Sequence, residues 1–171
     1  RVLGLGVRTI MNTRVDHDML TTLTRDYDAV LAATGLQRLT SIDLGLDMNR
    51  VMQGLEFLDQ ARADSVRVDG EEVVVVGGGN TAIDAARSAF RLGAHNVRII
   101  YRRTRDEMPA IPEEVDDAMD EGIRIDFLCS PIRIVRSGKK RMLSCQRMLL
   151  ADADESGRRR PVAIPDSEFE I

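Results

Sequence analysis

The chain has 171 residues, 43% of them hydrophobic, which is enough for one ordinary domain or for one domain joined to a piece of another. Its 24 basic and 28 acidic residues leave a formal net charge of −4, which supplies no general attraction for nucleic acid or an anionic membrane. No apolar stretch approaches the roughly 20 residues of a membrane span, and the opening RVLGLGVRT lacks the long apolar core of a signal peptide, so a cytoplasmic setting is expected. Cys129 and Cys145 have no His, Cys or acidic neighbours at metal-ligand spacing and read as buried thiols in strands, with no metal or iron–sulfur site in these residues. His17 and His95 fall in polar, turn-like stretches without a nucleophile or second ligand, so neither is a catalytic candidate.

In chain order, residues 7–11 read as a short strand, and Asp16 or Asp18 as the cap of a helix over 19–25. Residues 28–33, DAVLAA, read as a strand apolar enough to be buried on both faces. It ends at Thr34-Gly35, where a small residue followed by glycine lets a ligand approach the backbone closely. Two strands and a helix cannot bury both faces of a sheet, so this piece needs a partner. Residues 36–70 read as a connector with one helix over 49–63, its apolar side formed by Val51, Met52, Leu55, Phe57 and Leu58, and no site is expected there.

The segment 71–93, EEVVVVGGGNTAIDAARSAFRLG, runs from an apolar strand through three glycines into a helix. Its Gly77-Gly78-Gly79-Asn80-Thr81-Ala82 has the spacing G-x-G-x-x-A of a dinucleotide turn. Gly77 would permit the tight turn, Gly79 the close approach of a pyrophosphate and Ala82 the close packing of helix on strand, while the unpaired N–H groups of the new helix face the phosphates. Thr81 with Asp84 reads as a variant capping box, Ile83, Ala86 and Phe90 as the inner helix face, and Gly93 as the stop before a buried strand at 97–101. The end of that second strand selects the nucleotide. An acidic residue there would hold the ribose hydroxyls of NAD, whereas this chain has Arg102-Arg103 with Arg105 close behind, and guanidinium forks suit the 2′-phosphate of NADP(H).

Residues 108–112, MPAIP, read as a stiff extended segment, and 113–121 as an acidic helix with a solvated face. Strands follow at 123–128, 132–135 and 142–150, separated by turns at Ser130-Pro131 and Ser137-Gly138, with a charged hairpin loop over 152–160 and a strand that runs to Ile171. The expected fold is α/β: a Rossmann-like parallel βαβ sheet with an antiparallel β-meander, plus a partial strand–helix–strand piece of a second dinucleotide-binding domain. Unpaired strand edges in these pieces could support a dimer.

DAVLAATG, VVVVGGGNTAIDAARSAFRLGA, YRRTRDEMPAIPEEVDDAMDEG and the closing GRRRPVAIPDSEFEI together resemble the glutamate synthase small (β) subunit family, whose relatives include the amino-terminal region of dihydropyrimidine dehydrogenase. The resemblance implies an FAD domain interrupted by an NADPH domain, with hydride passing from NADPH to FAD and electrons onward through iron–sulfur clusters to a partner subunit or domain. It places Thr34 and Gly35 where the chain leaves the FAD domain, Gly77 to Ala82 at the NADPH pyrophosphate, and Arg102-Arg103 at the 2′-phosphate. This chain lacks a second glycine fingerprint before residue 35 and the family's cluster cysteines. It is therefore expected to be an NADP(H)-binding fragment without its own FAD or clusters, inactive in isolation: 1–35 closing an incomplete FAD domain, 36–70 a connector, and 71–171 the NADPH domain. A non-enzymatic NADP(H)-binding or sensor module is the alternative. A self-contained dehydrogenase is disfavoured, because no Tyr/Lys, His or Cys constellation is present to polarise a substrate carbonyl.

Overall fold

The computed structural model describes residue 4 and residues 6–34, 42–45, 51–138, 140–153 and 157–171. The chain falls into two compact units, Arg1–Leu39 and Thr40–Ile171. In the first, helix α1 (His17–Asp26) is capped by Asp16, whose carboxylate accepts the Met19 N–H at 3.0 Å. The strands expected at 7–11 and 28–33 do not form: neither stretch joins a ladder among the described residues, and Leu31 is 90% exposed. A strand is made by its hydrogen-bonded neighbour as much as by its own composition, and an apolar run cannot provide that neighbour.

The second unit opens with helix α2 (Gly54–Arg62). This is shorter than the helix expected over 49–63; residues 49 and 50 lie outside the described set, and 51–53 are not helical. The central part alternates β1 (Glu72–Val76), α3 (Asn80–Arg91), β2 (Asn96–Tyr101), α4 (Pro112–Asp120) and β3 (Arg124–Phe127). The three strands pair in parallel in the order β1-β2-β3. Helix α3 packs Ile83, Ala86 and Ala89 into the core with this sheet and buries Ala85 as well, and its small side chains let the helix approach closely. At 100° per residue the buried stripe is centred near Ala86 and Ala89. Phe90, expected inside, falls within the angular range of this stripe but stands one residue before the end of the helix and is 40% exposed. Helix α4 starts on Pro112 with Glu113 and Glu114 in its first turn, as the fixed proline φ and the helix dipole favour, and adds Val115 and Ala118 to the same core.

The two helices are also joined by charge. The Arg87 guanidinium reaches Glu121 at 2.7 Å and Asp117 at 3.4 Å, and Arg91 reaches Glu121 at 2.7 Å. The hydrogen bonds from Arg87, with those from Arg91, hold the Glu121 carboxyl below its usual value of 4.5. A depressed carboxylate stabilises the fold above its unfolded pKa and loses that contribution as pH falls through the folded one. The difference in thermal midpoint between the native chain and Glu121→Gln should therefore be constant from pH 7 to about 5 and should shrink once pH falls below about 4. A difference that grows on acidification would show that the pair does not act in this way.

Strands β4 (Cys129–Ser137), β5 (Lys140–Ala153) and β6 (Arg159–Glu170) form the antiparallel meander. The turn expected at Ser130-Pro131 is instead part of β4, with a register shift between Pro131 and Arg133. A bulge tolerates a proline that cannot donate to the ladder. Past the end of β6, Ile171 exchanges both backbone hydrogen bonds with Leu143, at 2.8 and 3.1 Å. The meander covers the β2 face turned away from the helices, where Ile100, Cys129 and Cys145 form a second small core with Leu143, Phe169 and Ile171 packed against it. Both thiols are free and buried, as read from the sequence, and the hydrogen bond with Cys129, with burial, pushes Cys145 well above the usual thiol range. Among the described residues no helix is long and apolar enough to cross a membrane.

Candidate nucleotide-binding site

The glycine turn lies between the end of β1 and the start of α3. Gly77 sits at φ +144°, a conformation open to glycine, and its N–H donates to the Ile100 carbonyl at 3.1 Å, which holds the turn to the end of β2. A Cβ on Gly77 would lie 3.4 Å from that of Ala82, in keeping with the close strand–helix approach expected of a small residue there. Gly79 is the N-cap of α3; it has no side chain to cap with, and its carbonyl accepts from Ala82 and Ile83 at 2.9 and 3.3 Å. The capping box expected from Thr81 and Asp84 is absent, because the helix starts at Asn80 and Thr81 already lies inside it. The first N–H groups of α3 are thus left open toward a ligand.

The chain beyond β2 folds back onto this turn. Ala110 N–H donates to the Gly78 carbonyl at 3.1 Å, and Ile111 N–H donates to Asn80 Oδ1 at 2.9 Å. A Cβ on Gly79 would stand 4.0 Å from the Pro109 ring. The stiff segment 108–112 therefore forms one wall of the turn. A second neighbour comes from the supposed connector: a Cβ on Gly54, at the start of α2, would lie 3.2 Å from Thr81 Cγ2. The hydrophobic side of α2 is legible in the sequence, but its approach to the glycine turn is not.

The loop after β2 is built around Glu107. Residues Arg105–Glu107 make one turn of 3-10 helix with Thr104 as N-cap, in a full capping box. The Glu107 carboxylate accepts from the Thr104 N–H at 3.3 Å and from its hydroxyl. This Thr-Arg-Asp-Glu spacing is the box signal that sequence reasoning placed one helix too early. The Tyr101 hydroxyl donates to the Glu107 carbonyl at 2.7 Å, and Arg159 at the start of β6 donates through Nε to Glu107 Oε1 at 2.6 Å. The Thr104 hydroxyl above all, and then Arg159, hold the Glu107 carboxyl below its usual value, so it stays charged and neutralised in place.

The three arginines of the sequence reading have different surroundings. Arg102 is exposed and makes no hydrogen bond or ion pair among the described residues. Arg103 donates through Nε to the Arg159 carbonyl at 2.9 Å, and no acceptor among the described residues takes its two terminal amino groups. Arg105 pairs with Asp116 of α4. Thr34 is exposed in the first unit, and Gly35 lies outside the described residues. The second unit thus brings together Gly77 to Ala82, the 108–112 wall and the arginine loop. They form a donor-rich end of a parallel sheet, suited in charge and hydrogen bonding to a phosphorylated dinucleotide.

A parallel βαβ sheet with a glycine turn, an open helix N-terminus and an antiparallel meander defines the class: a Rossmann-like α/β domain. Residues 5–155 match the model of the pyridine nucleotide-disulphide oxidoreductases, and the chain belongs to this family. It is 45% identical to the NADP(+)-dependent formate dehydrogenase subunit beta of Moorella thermoacetica, over 98% of this chain and 25% of that protein. It is 33% identical to the NADPH glutamate synthase small chain of Halomonas elongata, over 96% of this chain and 37% of that one. The likeness to glutamate synthase small chains is therefore borne out, within a wider set of NADPH-dependent oxidoreductases. Mycobacterium tuberculosis FprA, solved in complex with NADPH, shares the fold over 88% of this chain and 49% of its own, with a TM-score of 0.66 at 20% identity. The chain spans about a quarter of the length of the curated relatives that it matches first.

Proposed function

We propose that this chain is the NADP(H)-binding portion of a flavin-dependent oxidoreductase of the glutamate synthase small-subunit type. In it residues 71–171 are the nucleotide domain, 36–70 a connector and 1–35 part of the neighbouring FAD domain, with Thr34 and Gly35 at the exit from that domain. The observation that carries this reading is the pair of guanidinium groups at the end of β2. Arg102 has no partner among the described residues and Arg103 is held only through Nε, beside a helix N-terminus with no side-chain cap. That donor set fits a pyrophosphate at the helix and a 2′-phosphate at the arginines, and the first carboxylate of the loop that is built into the fold, Glu107, is already neutralised. The two curated relatives described above both carry NADP(+) or NADPH in their names.

When bound, NADPH would supply hydride to FAD, and the electrons would pass to a partner subunit or domain. The residues of this chain hold and orient the nucleotide: Gly77, Gly78, Gly79, Asn80, Thr81 and Ala82 at the pyrophosphate, and Arg102 and Arg103 at the 2′-phosphate. No side chain is assigned a chemical step, since positioning is the whole of the task. Calorimetric titration of the chain should show NADPH binding at least about tenfold more tightly than NADH, the difference of one well-made charged contact, with 2′,5′-ADP competing and 5′-AMP not. Equal affinity for NADPH and NADH, or no binding of either, would overturn the reading.

A further inference from the structure

Arg103 is long and flexible, and a guanidinium on such a stem reads a phosphate well only if its stem is fixed before the ligand arrives. The structure fixes it from an unexpected side. The Arg103 Nε is held at 2.9 Å by the main-chain carbonyl of Arg159, a residue 56 positions away at the start of β6. Arg159 is itself tied down by its own side chain, which bonds Glu107 Oε1 at 2.6 Å. Glu107 is fixed in turn through its second oxygen by Thr104 and through its carbonyl by the Tyr101 hydroxyl at 2.7 Å. The ring of that tyrosine lies against Gly78 of the glycine turn, where an added Cβ would come within 2.5 Å of it. One continuous set of contacts therefore runs from the pyrophosphate turn through Glu107 and Arg159 to Arg103.

We propose that Glu107 and Arg159 are positioning residues for nucleotide specificity: their ion pair pins the start of β6, whose carbonyl aims Arg103 at the 2′-phosphate. The meander is then part of the nucleotide-selecting apparatus as well as a cover for the sheet. This rests on the reading of Arg102 and Arg103 given above. Arg159 need not touch the nucleotide, and its effect is transmitted through Arg103.

The test is a set of NADPH and NADH dissociation constants on the full chain for Arg159→Ala, Arg159→Lys, Glu107→Gln, Arg103→Ala and the double variant Arg103→Ala/Arg159→Ala, with thermal midpoints taken alongside. Ordering one rotamer-rich side chain at an interface amounts to about fivefold in affinity. Arg159→Ala and Glu107→Gln should each weaken NADPH about fivefold while leaving NADH within twofold, and Arg159→Lys, which keeps the charge facing Glu107, should recover part of the loss. In the Arg103→Ala background, Arg159→Ala should have no further effect. The proposal is overturned if Arg159→Ala weakens both nucleotides equally, or weakens NADPH as much without Arg103 as with it. Those results leave the reading of the arginine pair standing. If Arg103→Ala itself leaves the NADPH-to-NADH ratio unchanged, that reading fails and takes this proposal with it.

Discussion

Replacing Arg102 and Arg103 together by alanine is expected to lower NADPH affinity about 100-fold and to leave NADH affinity within about twofold. Hydrogen bonds to charged groups contribute about 1.5 to 3 kcal/mol each; Arg102 is exposed and belongs at or below the low end, so about 3 kcal/mol for the pair converts to roughly the stated factor. The loss falls on NADPH alone because NADH has no group for these side chains to meet. Raising the salt concentration should narrow the gap between the native chain and the variant, since exposed charges are screened. Arg105→Ala is the internal control. Its guanidinium faces Asp116, so its removal should change NADPH affinity less than twofold. An equal loss for both nucleotides in the double variant, or a large one in Arg105→Ala, would place the phosphate contact elsewhere.

The second large effect is expected at Gly78, a position whose identity the G-x-G-x-x-A spacing leaves free. A Cβ there would lie 2.5 Å from Tyr101 Cε2, 2.6 Å from Cδ2 and 2.9 Å from Cζ. The ring cannot swing aside without giving up the hydrogen bond of its hydroxyl to the Glu107 carbonyl. Overpacking of this kind costs about 1 to 3 kcal/mol for a single methyl group. Gly78→Val, with two more, should exceed about 3 kcal/mol, a large part of the stability of an ordinary domain. Urea unfolding should show it, and Tyr101→Leu should relieve much of the cost of Gly78→Ala in a double-variant cycle. Additive costs in that cycle would mean that the ring is not the obstacle. Gly79→Ala is the useful contrast, because its nearest neighbour beyond the adjoining chain would be the Pro109 ring at 4.0 Å. It should leave stability little changed and weaken nucleotide binding, which separates the glycine required for packing from the one required for phosphate.

Much of the second unit is legible before folding. The Val73 to Val76 run, the glycine turn, the alanine-faced helix and VRIIY specify a βαβ unit through local pattern, and each forms within a residue or two of its expected place. The departures share a cause. Residues 28–33 have the composition of a buried strand but no ladder among the described residues, and Phe90 has the spacing of a core residue but stands in the last turn of its helix, 40% exposed. Thr81 and Thr104 both stand three residues before an acid, and only the position of the helix start decides which of them forms a capping box. Pairing, depth and cap position belong to the assembled elements and not to a window of residues.

What the sequence determined by itself is the kind of turn and the kind of charge: glycines where the backbone must bend, and arginines at the end of the next strand. These are set by local sterics and by side-chain chemistry, which a short stretch carries with it. Only the tertiary structure decided how those arginines are used. It turned Arg105 toward Asp116, left Arg102 without a partner among the described residues, and held Arg103 by a carbonyl that arrives on β6. It also filled the space above Gly78 with Tyr101 and brought Gly54 against Thr81. Contacts between residues 11 to 56 positions apart depend on where the sheets and helices pack, and no periodicity in the chain encodes them.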